Sequence, residues 1–439
     1  MKFRGLIIAA VVLLALGGVL YWSNHRKPSE KSASLSSPAS PSILKLNQSS
    51  IIQVTLGDKG SPPVTLVKQN DSQWKITAPK QWRADQDEVS GLLSSLSSLD
   101  ADRVVEQEAS SLGQYGLNDP AVTVDIATSD HKQRQLLLGD STPAGDDVYA
   151  MLAGDPRVFT IAEYNKTAID KGLNDLRDKR LLTMEPDKVS RITLQKKGQT
   201  IEFARIKDGW QILKPQPLRA DSFAVDELAR SVADARMDLS NGGNNDAAAK
   251  FSKGTPVATV TLIGDQGAQA LELRKNKDDF FAKSSAVEGA YKVDPSLGTT
   301  LNQGLNDLRN KKLFDFGFED PGKLEMHQGA KSWFLVRSGN DWWSNGRKMD
   351  SSAVESLIEK LRDLTATAFP ASGFSSPAFE ATVTSGEGKQ VEKVLISKSG
   401  DHYIARRGDG PALYQLNASD ISDIIAAANA IKPATAAGH

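Results

Sequence analysis

The sequence contains no cysteine, which excludes a disulfide framework, a thiolate nucleophile and a zinc site built on cysteine ligands. Histidine is scarce, and no two histidines stand three or four residues apart, as the metal ligands on one helix face would. A Gly-x-Ser-x-Gly nucleophile elbow is missing as well. We therefore predict that the protein is not an enzyme and holds no metal or cofactor. The histidines are His25, His131, His327, His402 and His439.

The chain also has no excess of charge of one sign. Lys and Arg number 53 and Asp and Glu number 54, for a net charge of −1, so no bulk attraction to nucleic acid is expected. Apolar residues form 39% and charged residues 24% of the chain, a composition typical of globular proteins with buried cores. At about 150 residues per domain, the 439 residues predict roughly three folding units.

One long hydrophobic run stands near the N-terminus. Residues 5–22 carry no charge, and as a helix rising about 1.5 Å per residue they would extend roughly 27 Å, close to the hydrocarbon thickness of a bilayer. We predict a transmembrane signal anchor within residues 1–26. The alternative is a cleaved signal peptide, whose small-x-small cleavage site would fall just after the apolar run. Tyr21 and Trp22 occupy that place, which favours the anchor.

The orientation of the predicted anchor does not follow from charge alone. Lys2 and Arg4 precede the hydrophobic run and Arg26 and Lys27 follow it, so the basic residues nearly balance. A short N-terminal tail with a basic start usually stays in the cytoplasm, and we therefore expect a single-pass protein with most of its chain extracytoplasmic. Residues 27–48 are rich in Ser and Pro and predict a tether between the anchor and the folded part.

Two independent alignments indicate an internal repeat. The hexapeptide that begins at Gly172 recurs identically at Gly304, 132 residues later. The segments around Trp74 and Trp210 are also alike, and each has an Asp 11 residues after the Trp. A looser third copy surrounds Trp342, with its Asp 8 residues later. The three Asp residues are Asp85, Asp221 and Asp350.

Each of these Asp residues precedes the same apolar pattern. Apolar residues follow at offsets of 4, 7, 11 and 14, which mark one face of an α-helix, and the Asp is suited to cap the first turn. The chain therefore predicts three helices with the same cap and the same buried stripe. The stripe residues are Val89, Leu92, Leu96 and Leu99; Val225, Leu228, Val232 and Ala235; and Val354, Leu357, Leu361 and Leu364.

Alternating runs before and after each helix read as antiparallel strands, followed by a closing helix. The predicted fold class is α+β: a single transmembrane helix, then three repeated units of mainly antiparallel sheet with packed helices. The predicted closing helices cover residues 164–182, 295–314 and 418–431. The predicted units cover residues 49–184, 187–316 and, as a divergent copy, 321–433, with a tail at 434–439.

A known bacterial family shares two motifs with this chain. The segment Gln114-Tyr-Gly-Leu-Asn-Asp-Pro120 and the segment Leu136-Leu-Leu-Gly-Asp-Ser-Thr-Pro-Ala-Gly145 resemble the family catalogued as domain of unknown function 4340. The resemblance is clear in the first unit, moderate in the second and weak in the third. It implies an inner-membrane protein, mostly periplasmic, that is accessory to an ABC transporter of the gliding-motility auxiliary type. The implied partners are an ABC permease and an extracytoplasmic auxiliary protein, and no catalytic residue is implied.

The tryptophans could form an aromatic platform for a sugar or peptide, or they could pack in the core. Trp74, Trp210 and Trp342 recur at equivalent places, and a shared core role is the simpler interpretation for them. Trp82 and Trp333 have no counterpart in the other copies, and neither does Trp343. These three are the candidates for a partner surface.

Two classes of function remain open at this point. The first is a non-enzymatic scaffold or accessory subunit that the N-terminal segment anchors in the inner membrane. The second is an extracytoplasmic ligand-binding or sensor protein for a glycan or peptide, or a hydrolase with an unrecognised site. The lack of any repeated polar constellation favours the scaffold.

Overall fold

The computed structural model describes residues 40–70, 72–207, 209–240, 246–318 and 321–434. The chain forms two compact units, of which the first ends at Asp178 and the second begins at Lys179. The first unit holds one large sheet, and the second unit holds two. Every pairing between the described strands is antiparallel, as predicted.

The first sheet consists of two four-stranded meanders that meet along their first strands, β2 and β8. The strand order is β5-β4-β3-β2-β8-β9-β10-β11, and β7 adds to β11 at the edge. The bounds are β2 (Ile51–Asp58), β3 (Val64–Lys68), β4 (Trp74–Ala78), β5 (Trp82–Arg83), β7 (Arg103–Glu106), β8 (Val122–Thr128), β9 (Gln133–Ser141), β10 (Asp147–Leu152) and β11 (Val158–Ala162). A separate pair joins β1 (Ser42–Lys45) to β6 (Ser98–Asp100).

The second and third sheets repeat this order of strands. In the second sheet the meanders meet at β12 and β16, and in the third they meet at β20 and β24. The second sheet contains β12 (Val189–Lys196), β13 (Gln199–Ile206), β14 (Gly209–Lys214), β15 (Leu218–Arg219), β16 (Thr255–Gly264), β17 (Gly267–Asn276), β18 (Asp279–Ser284) and β19 (Ala290–Val293). The third contains β20 (Lys323–Gln328), β21 (Lys331–Ser338), β22 (Asp341–Ser344), β23 (Arg347–Lys348), β24 (Phe379–Ser385), β25 (Gln390–Ser399), β26 (His402–Arg407) and β27 (Leu413–Leu416).

In the chain, a capped helix follows the first meander of each sheet and precedes the second. Asp85, Asp221 and Asp350 are the residues before these helices, and each side chain accepts hydrogen bonds from N–H groups of the first turn. The predicted stripes are buried at offsets 4, 7 and 11 and pack on one face of each sheet, which we call the inner face. The helices are α1 (Gln86–Ser97), α2 (Glu163–Ile169), α3 (Leu173–Leu176), α4 (Ser222–Ala233), α5 (Ala247–Lys253), α6 (Pro295–Leu301), α7 (Ser351–Asp363) and α8 (Ala418–Ala430).

The stripe residues at offset 14 lie beyond the ends of their helices, which corrects the prediction. Leu99, Ala235 and Leu364 are buried because each pairs with a short segment that precedes its sheet. Leu44 pairs with Leu99, Leu181 N–H donates to Ala235 O at 2.8 Å, and Leu313 N–H donates to Leu364 O at 3.1 Å. We call the segments that contain Leu44, Leu181 and Leu313 the lead-in segments.

The first lead-in segment corrects the extent of the predicted tether. Residues 27–39 lie outside the described residues, but Ser42–Lys45 is a strand, and Ile43 and Leu44 are buried in the core of the first unit. The tether therefore ends before residue 48, because the apolar residues of this short segment complete a core. For the same reason Leu181 and Leu182, which were predicted in the first repeat, pack in the core of the second sheet.

The first two predicted closing helices are much shorter than expected. α2 ends at Ile169 and α6 ends at Leu301, and the repeated hexapeptides at Gly172 and Gly304 then turn back along the sheet. The N–H of each glycine donates to a carboxylate three residues later, Asp175 and Asp307. The third predicted closing helix agrees with α8.

Among the described residues, no helix is both long and apolar enough to cross a membrane. The predicted anchor at residues 5–22 lies outside them, as do residues 435–439 of the predicted tail. The described chain is an α+β protein of mainly antiparallel sheets with some helices.

Candidate functional site

The outer face of the third sheet, opposite α7 and α8, carries an exposed group of large apolar side chains. Phe334 and Val336 project from β21 and are 43% and 47% exposed. Trp343 projects from β22 and is 39% exposed. Successive residues of a strand point to opposite faces, so the neighbours Leu335 and Trp342 lie in the core while these three face outward. We call Phe334, Val336 and Trp343 the apolar patch.

The three residues of the apolar patch are adjacent in the sheet. Val336 stands directly opposite Trp343 in the pairing of β21 with β22. Phe334 is two residues from Val336 on the same strand and face, and its ring centroid lies 5.5 Å from that of His327. On the neighbouring strands, two residues lie in line with Val336 on the same face. They are Lys323 on β20 and, beyond β24, Val391 on β25, which is 62% exposed.

The charges around the apolar patch balance. Each lysine on this face has a carboxylate partner on the same face: Lys323 pairs with Glu325, Lys348 Nζ lies 2.9 Å from Asp341 Oδ1, and Lys393 Nζ lies 2.9 Å from Glu380 Oε2. These are exposed pairs and contribute little to stability. They surround the apolar patch with both signs of charge and no surplus of either.

The other two sheets place no aromatic residue at the positions of the apolar patch. The register of β12, β13 and β14 matches Phe334, Val336 and Trp343 to Glu202, Ala204 and Gln211. In the first sheet, the register of β2, β3 and β4 matches the same positions to Thr65, Val67 and Lys75. Because two sheets of the same order fold without aromatic residues there, the architecture does not require the apolar patch.

The structure does not bring the three predicted partner-surface tryptophans together. Trp82 belongs to the first unit, where Arg177 lies over its ring at 5.1 Å. Trp333 is on the inner face of the third sheet, half-buried against the core. Trp343 is the one of the three on the outer face. Its neighbours Phe334 and Val336 were missed from sequence, although four consecutive apolar residues from 333 to 336 are a signal of a strand that is apolar on both faces.

The three repeated tryptophans lie under their helices. Trp74, Trp210 and Trp342 are 7%, 3% and 2% exposed. Trp210 Nε1–H donates to Asp226 Oδ1 at 2.8 Å, and the Arg205 guanidinium lies 4.4 Å from the ring centroid. The low exposure of all three tryptophans identifies them as packing residues of the inner faces.

Two clefts at equivalent positions of the first and second sheets differ in charge. The first, about 420 Å³ in volume, contains Asp58 and Asp170, and burial together with the charge of Asp58 raises the pKa of Asp170. The second, about 480 Å³, lies beside Lys196, which takes the place of Asp58 and donates to Gln303 O. The charged residues that line the second cleft are Lys275 and Asp307, whereas those of the first are Asp58, Asp170, Lys171 and Asp175, so the clefts share no constellation for one ligand. Among the described residues, no group of three or more His, Asp or Glu is placed to hold a metal ion.

The two motifs that carry the family resemblance touch each other in the first unit. Gly139 lies so close to Tyr115 that a Cβ atom there would stand 2.0 Å from Tyr115 O. Gly116 has a φ of 69° and lies against Asp140, and the Tyr115 ring packs on Tyr149 at 4.8 Å between centroids. These motif residues form a packed corner on the outer face of the first sheet.

One family model matches most of the chain. Described as "Domain of unknown function (DUF4340)", it matches residues 74–214 and residues 210–378. The matches begin at Trp74 and Trp210, the equivalent tryptophans of the first two copies. No curated protein and no solved structure matches the chain.

Proposed function

This chain belongs to the DUF4340 family, and we propose that it is a non-enzymatic, membrane-anchored scaffold or accessory subunit of an inner-membrane ABC transporter complex. In this proposal residues 5–22 anchor the chain in the bacterial inner membrane, and the folded units stand on the periplasmic or extracytoplasmic side. The partners are an ABC permease and an extracytoplasmic auxiliary protein. The observation that carries the scaffold assignment is the apolar patch.

An exposed cluster of two aromatic residues and a valine is costly on a surface that stays in water. A sheet face covered by a partner would bury these side chains, and aromatic residues are enriched at the centres of protein interfaces. The apolar patch therefore supports a role in protein contacts.

The repeated order of strands supports the assignment to a scaffold. We propose that the three sheets, each with its capped helix and lead-in segment, are copies of one unit, and that the third diverged. The two family matches begin at the equivalent residues Trp74 and Trp210, which supports this proposal for the first two copies. Copies of one fold with different outer faces are suited to present several surfaces along one chain.

The association with an ABC transporter rests on the resemblance of the motifs at residues 114–120 and 136–145. Its test is recovery of the full-length tagged chain from chemically crosslinked membranes, followed by mass spectrometry. We expect a permease or ATPase subunit to be enriched over a control membrane protein with an unrelated ectodomain. Recovery of no transporter subunit would contradict the proposal.

The anchor requires its own test. We expect the mature protein in membranes to retain residues 5–22, seen as an intact N-terminal peptide by mass spectrometry, and to resist extraction by alkaline carbonate. A mature N-terminus beyond Trp22 would identify a cleaved signal peptide instead.

A further inference from the structure

We propose that the outer face of the third sheet is the surface on which two copies of this chain pair, with the apolar patch of one copy against that of the other. This inference rests on the proposed scaffold function and names the partner of its contact surface.

The charge balance of the face favours a second copy. The lysines Lys323, Lys348 and Lys393 each have a carboxylate on the same face, so beside the apolar patch neither an anionic membrane nor a strongly basic partner would meet uncompensated charge. Arg406 is farther along the face, on β26, and lies over the Phe374 ring. A two-fold pairing places the same patch on both sides and needs a surface that carries both signs. This face meets that requirement, since its ion pairs can exchange partners across the two-fold axis.

The shape of the face also suits pairing. Two sheets pack face to face about 10 Å apart, with the facing side chains interdigitated. Phe334, Val336 and Trp343 form an exposed apolar centre, and the ion pairs lie beside it, which is the usual distribution in an interface.

The apolar patch is small compared with the roughly 800 Å² per partner of a stable interface. We therefore expect a weak dimer. Two copies anchored in one membrane share an orientation, and tethering raises their effective concentration, so pairing is favoured in the membrane.

The absence of native cysteine permits a direct test. Val336→Cys places one thiol at the centre of the apolar patch of the full-length chain. Ala204→Cys is the matched control, because Ala204 occupies the same register position in the second sheet. In oxidised membranes we expect the Val336→Cys chain to form a covalent dimer at twice 47.3 kDa, at least ten-fold more than Ala204→Cys.

A second variant ties the dimer to the apolar patch. Phe334→Thr and Trp343→Lys, added to Val336→Cys, introduce the residues that the first sheet carries as Thr65 and Lys75. We expect the dimer to fall to the level of the Ala204→Cys control while hydrogen exchange of the core strands β24 and β25 stays unchanged.

Three outcomes would overturn the inference. In the first, the Val336→Cys chain forms no covalent dimer. In the second, the dimer persists when Phe334→Thr and Trp343→Lys are added. In the third, Val336→Cys crosslinks to a different protein. A crosslink to a different protein would still be consistent with the scaffold function. Failure to recover a transporter subunit would contradict the proposed function without changing the dimer yield, so the two failures are distinguishable.

Discussion

Arg407 Nη1 donates to Glu392 Oε1 at 3.1 Å, and both side chains are buried at the end of the third sheet's core. The same carboxylate oxygen accepts the N–H of Asp315 at 2.7 Å, and Arg407 also donates to Leu313 O. This ion pair therefore joins strands β25 and β26 to the lead-in segment that precedes the third sheet.

Removing the cation should strongly destabilise the third sheet. Arg407→Met leaves Glu392 buried without its partner, and we expect a loss of about 3–5 kcal/mol in the free energy of opening. Native-state hydrogen exchange of β25 and β26 in the full-length chain measures this loss. Lys398→Met, which removes an exposed cation from the neighbouring strand β25, should change exchange by less than about 0.5 kcal/mol. Equal effects of the two variants would contradict the assignment.

The ion pair between Arg407 and Asp409 should make stability depend on pH. Hydrogen bonds from Arg407 hold the pKa of Asp409 below its ordinary value of 3.8. The stabilisation is complete above that ordinary value and is lost as the pH falls through the lower pKa of the folded state. We expect the Tm of the wild type to fall more steeply below pH 4 than that of Asp409→Asn. Parallel curves from pH 6 to pH 2.5, measured by differential scanning calorimetry, would refute this.

The first lead-in segment should be part of the folded core. Leu44 is 2% exposed and pairs with Leu99, so Leu44→Ala opens a cavity and should cost about 2–5 kcal/mol. Hydrogen exchange of β8 and β9 reports the stability of the first unit. Lys45→Ala, at the exposed neighbouring position, is the control and should leave exchange unchanged. If Leu44→Ala also leaves hydrogen exchange unchanged, the segment belongs to the tether, as the sequence predicted.

The family motif should be intolerant of a methyl group at Gly139. The added Cβ would meet a backbone carbonyl, and we expect Gly139→Ala to destabilise the first unit by about 1–3 kcal/mol. Gly91 is exposed within α1 and has open space around it, so Gly91→Ala should instead stabilise the unit by about 0.5–1 kcal/mol. Opposite signs in the same unfolding assay are the expected result, and a neutral Gly139→Ala would disprove the close approach.

Local periodicity predicted the elements that depend on neighbours in the chain. The Asp residues at 85, 221 and 350, each followed by the same apolar offsets, located the three capped helices. The motifs of the first unit identified the family, which the family match confirms. The prediction of one continuous closing helix in each of the first two copies was wrong, because α2 ends at Ile169 and α6 ends at Leu301. The hexapeptide at Gly172 forms only the one-turn helix α3, and the hexapeptide at Gly304 forms turns.

The amino-acid sequence by itself determined the balanced charge, the lack of cysteine, the repeat and the alternation of antiparallel strands, because composition and short-range period are properties of the chain. Only the tertiary structure decided that Ile43 and Leu44 complete a core, and that Trp333 faces inward while Trp343 faces outward. Those outcomes depend on which distant strand pairs with which and in what register, and a shift of one residue would exchange the two faces.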